Sequence, residues 1–385
     1  MTNIINTIRE SCVITNSKNL ETLFTLENFP IYIGNTTENE DTDLFSDMIF
    51  DISKECGVVQ LKHTIDPNLI YSQYHSEAIG TTWDNHHNKF SELLSHYINE
   101  NKIKNILEIG ASNCRLANKI LKENNIIKNW TVIEPNIPKQ TQNTDERINF
   151  ICDFFKSELI KEKYDLILHS HTLEHMYNPN NFLTEINESL KITGLHIFSV
   201  PNLFSYLEYN HLNILNFEHT IFLSEEIIDY LLLKNKFELV KKEKFEEHSI
   251  FYVTKKIDEN TNPEVPNRYE KYKKMFLDYF QNNKKIINDI NLILDNTNHD
   301  VYLFGGHIFS QFLISLGLKT EKIKFILDNS LLKHNTRLYG ANLIIKNPKK
   351  IEINDNSIII LKVGNYKNEI KSDLLKINQT LNFIE

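Results

Sequence analysis

The stretch Ile106-Leu-Glu-Ile-Gly-Ala-Ser-Asn-Cys-Arg-Leu116 constrains this chain more than any other. Ile103 to Ile109 is short and apolar enough for a buried strand. Gly110 then permits a tight turn, and Arg115 to Lys122 spaces its apolar residues as an amphipathic helix does. In an open α/β sheet, such strand-to-helix turns expose backbone N–H groups at the carboxyl ends of the strands, where ligands sit. A carboxylate follows at a useful distance. Glu134 closes the next apolar run, Trp130 to Ile133, and lies 24 residues beyond Gly110. A strand-end acid about 20 residues past the first turn is placed to bind both hydroxyls of a ribose.

Glu108-x-Gly110-x-x-x-Cys114 resembles the first motif of class I S-adenosylmethionine (SAM) methyltransferases, which usually ends on Gly. Asp165-Leu-Ile-Leu-His-Ser-His-Thr-Leu-Glu174-His175, Phe182-Leu183, Leu190-Lys191, Gly194 and Val200-Pro201-Asn202 are similar to the later motifs of that fold, in order. The resemblance implies a Rossmann-like α/β domain over residues 85–257 with SAM as its cofactor. It also implies cofactor contacts from Glu108, Gly110, Ser112, Glu134, Asp153 and His171. An α/β domain that binds some other nucleoside is the alternative.

At 385 residues the chain is too long for one ordinary core, so two or three domains are expected. Net charge is −9 with no long basic run, which disfavours a nucleic-acid partner, since phosphate binding needs clustered Lys and Arg. No apolar run approaches the roughly 18 residues of a membrane span, and no signal-peptide core opens the chain. A cytoplasmic protein without membrane insertion is the expectation. Cys12, Cys56, Cys114 and Cys152 are too sparse for a disulfide framework.

Residues 1–84 hold short apolar runs between polar turns and predict a small, irregular, β-rich unit. Asp51-Ile-Ser53-Lys-Glu-Cys56-Gly57, then Asp66-Pro67, Tyr71, Tyr74, Ser76 and His86, resemble the N-terminal module of tripartite sugar C-methyltransferases. That module usually carries two Cys-x-x-Cys pairs on structural zinc, whereas here the matching positions read Cys12/Thr15 and Ser53/Cys56. Two thiolates cannot replace the four ligands of a closed tetrahedral site, so no metal is expected. The resemblance places Tyr74 and His75 toward the substrate.

Transfer from a sulfonium needs an in-line nucleophile, and a sugar hydroxyl needs a general base. Histidine, with a free pKa near about 6.5, suits that task. His169 and His171 end the fourth strand, and Glu174-His175 is expected to open the next helix. Asn216-Phe-Glu218-His219 follows the fifth strand and resembles the family's Tyr-His-Glu-His loop, with Asn216 in place of Tyr. Catalysis is expected from His219, His175 and Glu218, and substrate contacts from Asn202 and Asn216. The last region, 258–385, opens on a helical pattern and repeats a strand-turn-helix at Gly305-Gly306, with Asp328 closing another strand. It is similar to the family's second Rossmann-like domain, which helps hold the sugar's nucleotide. The function expected is methylation of a sugar, nucleotide-linked, for a surface glycan, on oxygen more than carbon. C-methylation of a nucleotide-linked keto-deoxysugar is the alternative. An inert SAM- or sugar-nucleotide-binding scaffold is the reading from another class, since the Cys114 side chain would stand where the motif has Gly.

Overall fold

The computed structural model describes residues 4–71, 80–136 and 145–385; Tyr74 and His75 lie outside them. At its centre is a seven-stranded sheet whose strands are numbered here β1 (Asn105–Ile109), β2 (Asn129–Ile133), β3 (Ile148–Ile151), β4 (Tyr164–Ser170), β5 (Leu190–Pro201), β6 (Phe237–Phe245) and β7 (Ser249–Lys256). Their order is 3-2-1-4-5-7-6, with β7 antiparallel to both its neighbours. Alternate side chains feed two cores. Ile106, Leu166 and Ile197 enter one, while Leu107, Ile167 and Phe198 enter the other, so β1, β4 and β5 each carry consecutive apolar residues because both faces are covered. Strand order reverses between β1 and β4, which opens a crevice beyond their carboxyl ends.

This is the mixed α/β, Rossmann-like architecture expected, with β-rich and α/β additions at its two ends. The N-terminal addition is an antiparallel sheet of Leu20–Pro30, Phe45–Ser53 and Val59–Leu61. Its fourth strand, Ile221–Phe222, comes from the loop after β5. The C-terminal addition is a five-stranded parallel sheet led by Val301–Phe304 and Ile323–Leu327. Helix Tyr269–Asn296 buries Tyr272, Phe276, Tyr279, Phe280, Ile287, Ile290 and Leu294. This single apolar face belongs to a core shared by both additions.

The helix that leads into β1 runs from Thr81 to Glu100 and carries Trp83, His86 and His87. One local expectation is corrected. Glu174-His175 does not open a helix. Leu173–His175 forms one 3-10 turn, and the helix starts at Pro179 with Asn178 Oδ1 accepting the Asn181 N–H at 3.0 Å. Pro179 sets this start, because its fixed φ suits a first helical position and it needs no N–H partner there. The cap of this helix is Asn178, not His175.

Candidate active site

The crevice begins at the turn after β1. Gly110 has φ +72°, and a Cβ there would stand 3.1 Å from Thr172 Oγ1, so a side chain would be both strained and crowded. Ser112 and Cys114 also take left-handed φ, +48° and +59°. Cys114 pays some strain for lacking the usual Gly, but its buried thiol packs among Phe90, Ile106 and Ala117, not in the cleft. The crowding that would favour an inert scaffold is absent at this residue. Burial also pushes the thiol up to about 12, so it is not a nucleophile.

Glu134 stands at the end of β2. Its carboxylate accepts Ser112 N–H at 3.2 Å and Asn136 N–H at 2.9 Å, so it holds the turn in shape. Glu108 lines the cleft and accepts the Trp130 indole N–H at 2.9 Å. Desolvation raises its pKa to about 8, which keeps it largely protonated at neutral pH. Three expected residues stand apart from the cleft lining: Glu134, behind the turn it holds, and Asp153 and Asn202. Asp153 turns back to accept the Phe154 N–H at 2.7 Å, and Asn202 is buried at the start of helix Leu203–Glu208.

Farther along the cleft, His175 and His219 meet edge to face with ring centroids 4.9 Å apart. His219 Nδ1 lies 2.7 Å from the Ile214 carbonyl, which can only accept, so Nδ1 carries the proton and Nε2 keeps its lone pair. Desolvation lowers the His219 pKa, and Glu174 opposes that shift. His175 Nδ1 hydrogen-bonds Tyr71 Oη at 2.9 Å and lies 3.8 Å from Glu218 Oε2. Asn216 Oδ1 accepts both Glu218 N–H and His219 N–H, at 2.9 and 3.0 Å, which folds the loop that presents them. The same loop is fixed from outside, where Ile221 and Phe222 pair with Gln60 and Val59. Buried Glu174, with neither oxygen hydrogen-bonded, is raised to about 7 by desolvation and groups with His175 and His219. His171 lines the cleft with Nε2 2.9 Å from Ser249 Oγ. His169 does not; it is buried against His196, Nε2 to Nε2 at 3.0 Å.

Glu108, Gly110, Ser112, His171, His175, Asn216, Glu218 and His219 line one cleft of about 570 Å³. Residues 107–198 match a family model described as a methyltransferase domain. The chain is a methyltransferase. Its cofactor is SAM, and the glycine turn that a Cβ would fill and the strand-end acid at Glu134 fit that nucleoside. Among solved structures, the methyltransferase is similar to N-methyltransferase NodS from Bradyrhizobium japonicum WM9, at 16% identity and TM-score 0.34, over 46% of this chain and 96% of that one. A 1,6-didemethyltoxoflavin-N1-methyltransferase from Burkholderia thailandensis shows 15% identity and TM-score 0.34, over 48% and 94%. Magnesium protoporphyrin IX methyltransferase from Synechocystis PCC 6803 shows 10% identity and TM-score 0.37, over 48% and 91%. No curated protein matches the sequence significantly.

The methyltransferase cleft has walls that motif reading missed. Trp83, Tyr206 and Tyr366 line it, as do Gly305, His307, Asp328 and Lys333 of the C-terminal sheet. Asp328 accepts Gly306 N–H at 2.8 Å and meets Lys333 Nζ at 3.1 Å, so the second glycine turn faces the same space as the first. A Trp83-x-x-His86-His87 cluster on one helix face was the available signal for Trp83. The N-terminal positions matched to zinc ligands converge. Cys12 and Cys56 sulfurs lie 3.8 Å apart, with Thr15 bonded to the first and Ser53 to the second. Bonding from Cys56 and Thr15 draws the Cys12 thiol down, yet only two sulfurs are present.

Glu134→Ala in this methyltransferase removes the acid that shapes the turn and that the sequence motif assigns to the ribose. Charge-assisted hydrogen bonds are worth roughly 1.5–3 kcal/mol, so SAM should bind about ten-fold or more weakly. Calorimetric titration reads this directly, and an unchanged dissociation constant would place the ribose elsewhere.

Proposed function

We propose that the enzyme methylates a hydroxyl of a nucleotide-linked sugar destined for a glycan. The observation that carries this reading is His219, a cleft-lining residue whose Nδ1–H is committed to Ile214, which leaves the Nε2 lone pair available as a base. When bound, SAM supplies an electrophilic methyl on its sulfonium, so no redox step is needed. Glu108, Gly110, Ser112 and Glu134 hold the donor end. His219 Nε2 takes the hydroxyl proton as the oxygen attacks, and Glu174 stands beside the resulting imidazolium. Asn216 fixes the backbone that carries that ring, Glu218 stands beside His175, and Tyr74 and His75 are proposed as sugar contacts. The Gly305–Gly306 turn with Asp328 and Lys333 supports a nucleotide at the far end of the cleft. We further propose the division into residues 1–84, 85–257 and 258–385 as substrate, SAM and nucleotide units.

Carbon methylation of a keto-deoxysugar is a second reading. It is favoured by the Tyr71–His175 hydrogen bond, because burial keeps the Tyr71 hydroxyl protonated and able to stabilise an enolate. Incubation of the enzyme with a panel of nucleotide sugars and SAM bearing a ¹³C methyl separates the two. The methyl carbon resonance distinguishes an ether from a carbon-bound methyl, and no product from any sugar would overturn the substrate class.

The pH dependence follows from the base. His219 must be neutral, and desolvation depresses its pKa, so activity should persist below the pKa of a free imidazole, about 6.5. The acidic limb of kcat/KM should thus fall below that pH. A limb centred well above it would assign the titration to another group.

A further inference from the structure

We propose that His86, His171 and His248 bind one divalent transition-metal cation of the imidazole-preferring class, such as Zn²⁺. Each offers one ring nitrogen, and these three atoms lie within 4.8 Å of one another. They come from three places: helix Thr81–Glu100, the end of β4 and the turn before β7. A cation there would pin the helix to the sheet beneath the cleft.

Two of the three side chains are otherwise unexplained. His86 is fully buried, and among the described residues neither Nδ1 nor Nε2 has a hydrogen-bond partner. His248 Nε2, also buried, has none among them. Buried ring nitrogens without partners are costly, and a coordinated cation removes that cost. Outer-shell groups of the kind that orient metal-binding imidazoles are present. Ser249 Oγ lies 2.6 Å from His248 Nδ1; for His171, Ser249 Oγ lies 2.9 Å from Nε2 and Glu174 Oε1 3.5 Å from Nδ1, so one of these orients the ring while the other yields its nitrogen to the ion. Burial also drives all three rings toward the neutral form that ligation requires. Soft or borderline ions take imidazole, whereas Mg²⁺ and Ca²⁺ prefer oxygen. The absence of metal expected from the sequence weighed only the N-terminal cysteines, which lie elsewhere. This site is independent of the sugar reading.

The test uses full-length protein, stripped with a chelator and titrated with Co²⁺ as the spectroscopic probe. One Co²⁺ per chain should bind, with visible bands of an imidazole-ligated ion and no sulfur charge-transfer band. Trp83 should be quenched, since its ring lies 4.6–5.3 Å from all three imidazoles. His86→Gln and His248→Gln should each weaken binding on the order of 100-fold or more, the upper range even for outer-shell losses. His175→Gln and Cys12→Ser should keep it. Substoichiometric binding by the wild-type chain overturns the proposal, and that result needs no variant to fold. Sulfur charge-transfer bands, or binding lost with His175→Gln and kept with His86→Gln, overturn it equally, by assigning the ion to Cys12/Cys56 or to Glu174/His175/His219.

Discussion

His219→Gln is expected to lower turnover by about 10²–10⁴-fold, the usual worth of a positioned base, while leaving SAM affinity nearly intact. The two effects separate because the donor contacts lie between residues 108 and 134, whereas His219 is held by Ile214 and Asn216. Gln keeps a donor for the Ile214 carbonyl, so the loop keeps its shape while the basic nitrogen is lost. The acidic limb of the pH–rate profile should disappear with it. His175→Gln should cost less, since His175 is tied to Tyr71 and stands beside Glu218. Full activity in His219→Gln with loss in His175→Gln would reverse the roles. Activity in both would leave methyl transfer to positioning alone and sink the assignment of a histidine base.

Local pattern carried the centre of this fold and non-local pairing carried the active site. β1, β4 and β5 were legible as short apolar runs, and the Gly110 turn was legible because few residues tolerate its φ. His219 is different. Its place depends on Ile221–Phe222 joining a sheet made more than 150 residues earlier, at Val59–Leu61, and no period in the loop announces that. Cys114 read as an obstruction because side-chain direction cannot be taken from a motif; at φ +59° the thiol turns into the core. Asp153 sits where the resemblance implies a cofactor contact, yet its carboxylate is used by the next amide. The second glycine turn reads locally as any strand-to-helix turn. That it faces the first across one cleft is a consequence of how the chain's two ends are clasped.

That clasp yields the second large expected effect. Asn35–Thr36 pairs with Arg337–Leu338, and beside this pairing Arg337 forks onto Asp43 with two contacts of 2.7 Å. Arg337 Nε–H also donates to the Glu38 carbonyl at 2.7 Å, and Gly340 N–H donates to Asp43 Oδ2 at 2.9 Å. The two side chains are only 8% and 1% exposed, so solvent cannot replace a lost partner. Removing one member of such a pair strands the other charge, at a cost of about 3–5 kcal/mol. Arg337→Ala should therefore lower stability by that amount, read as the shift of the first urea transition. Arg337→Lys should recover only part, since a point charge cannot reproduce the planar fork. Asp43→Asn combined with Arg337→Met should lie closer to wild type than Arg337→Ala, because no buried charge is then left unpaired. Because the clasp holds the Asp328 wall against the sheet that carries Ile221–Phe222, Arg337→Lys should raise the KM of the acceptor before it lowers kcat. A stability change below about 1 kcal/mol would mean that the pair behaves like an exposed one and that other contacts hold the ends together.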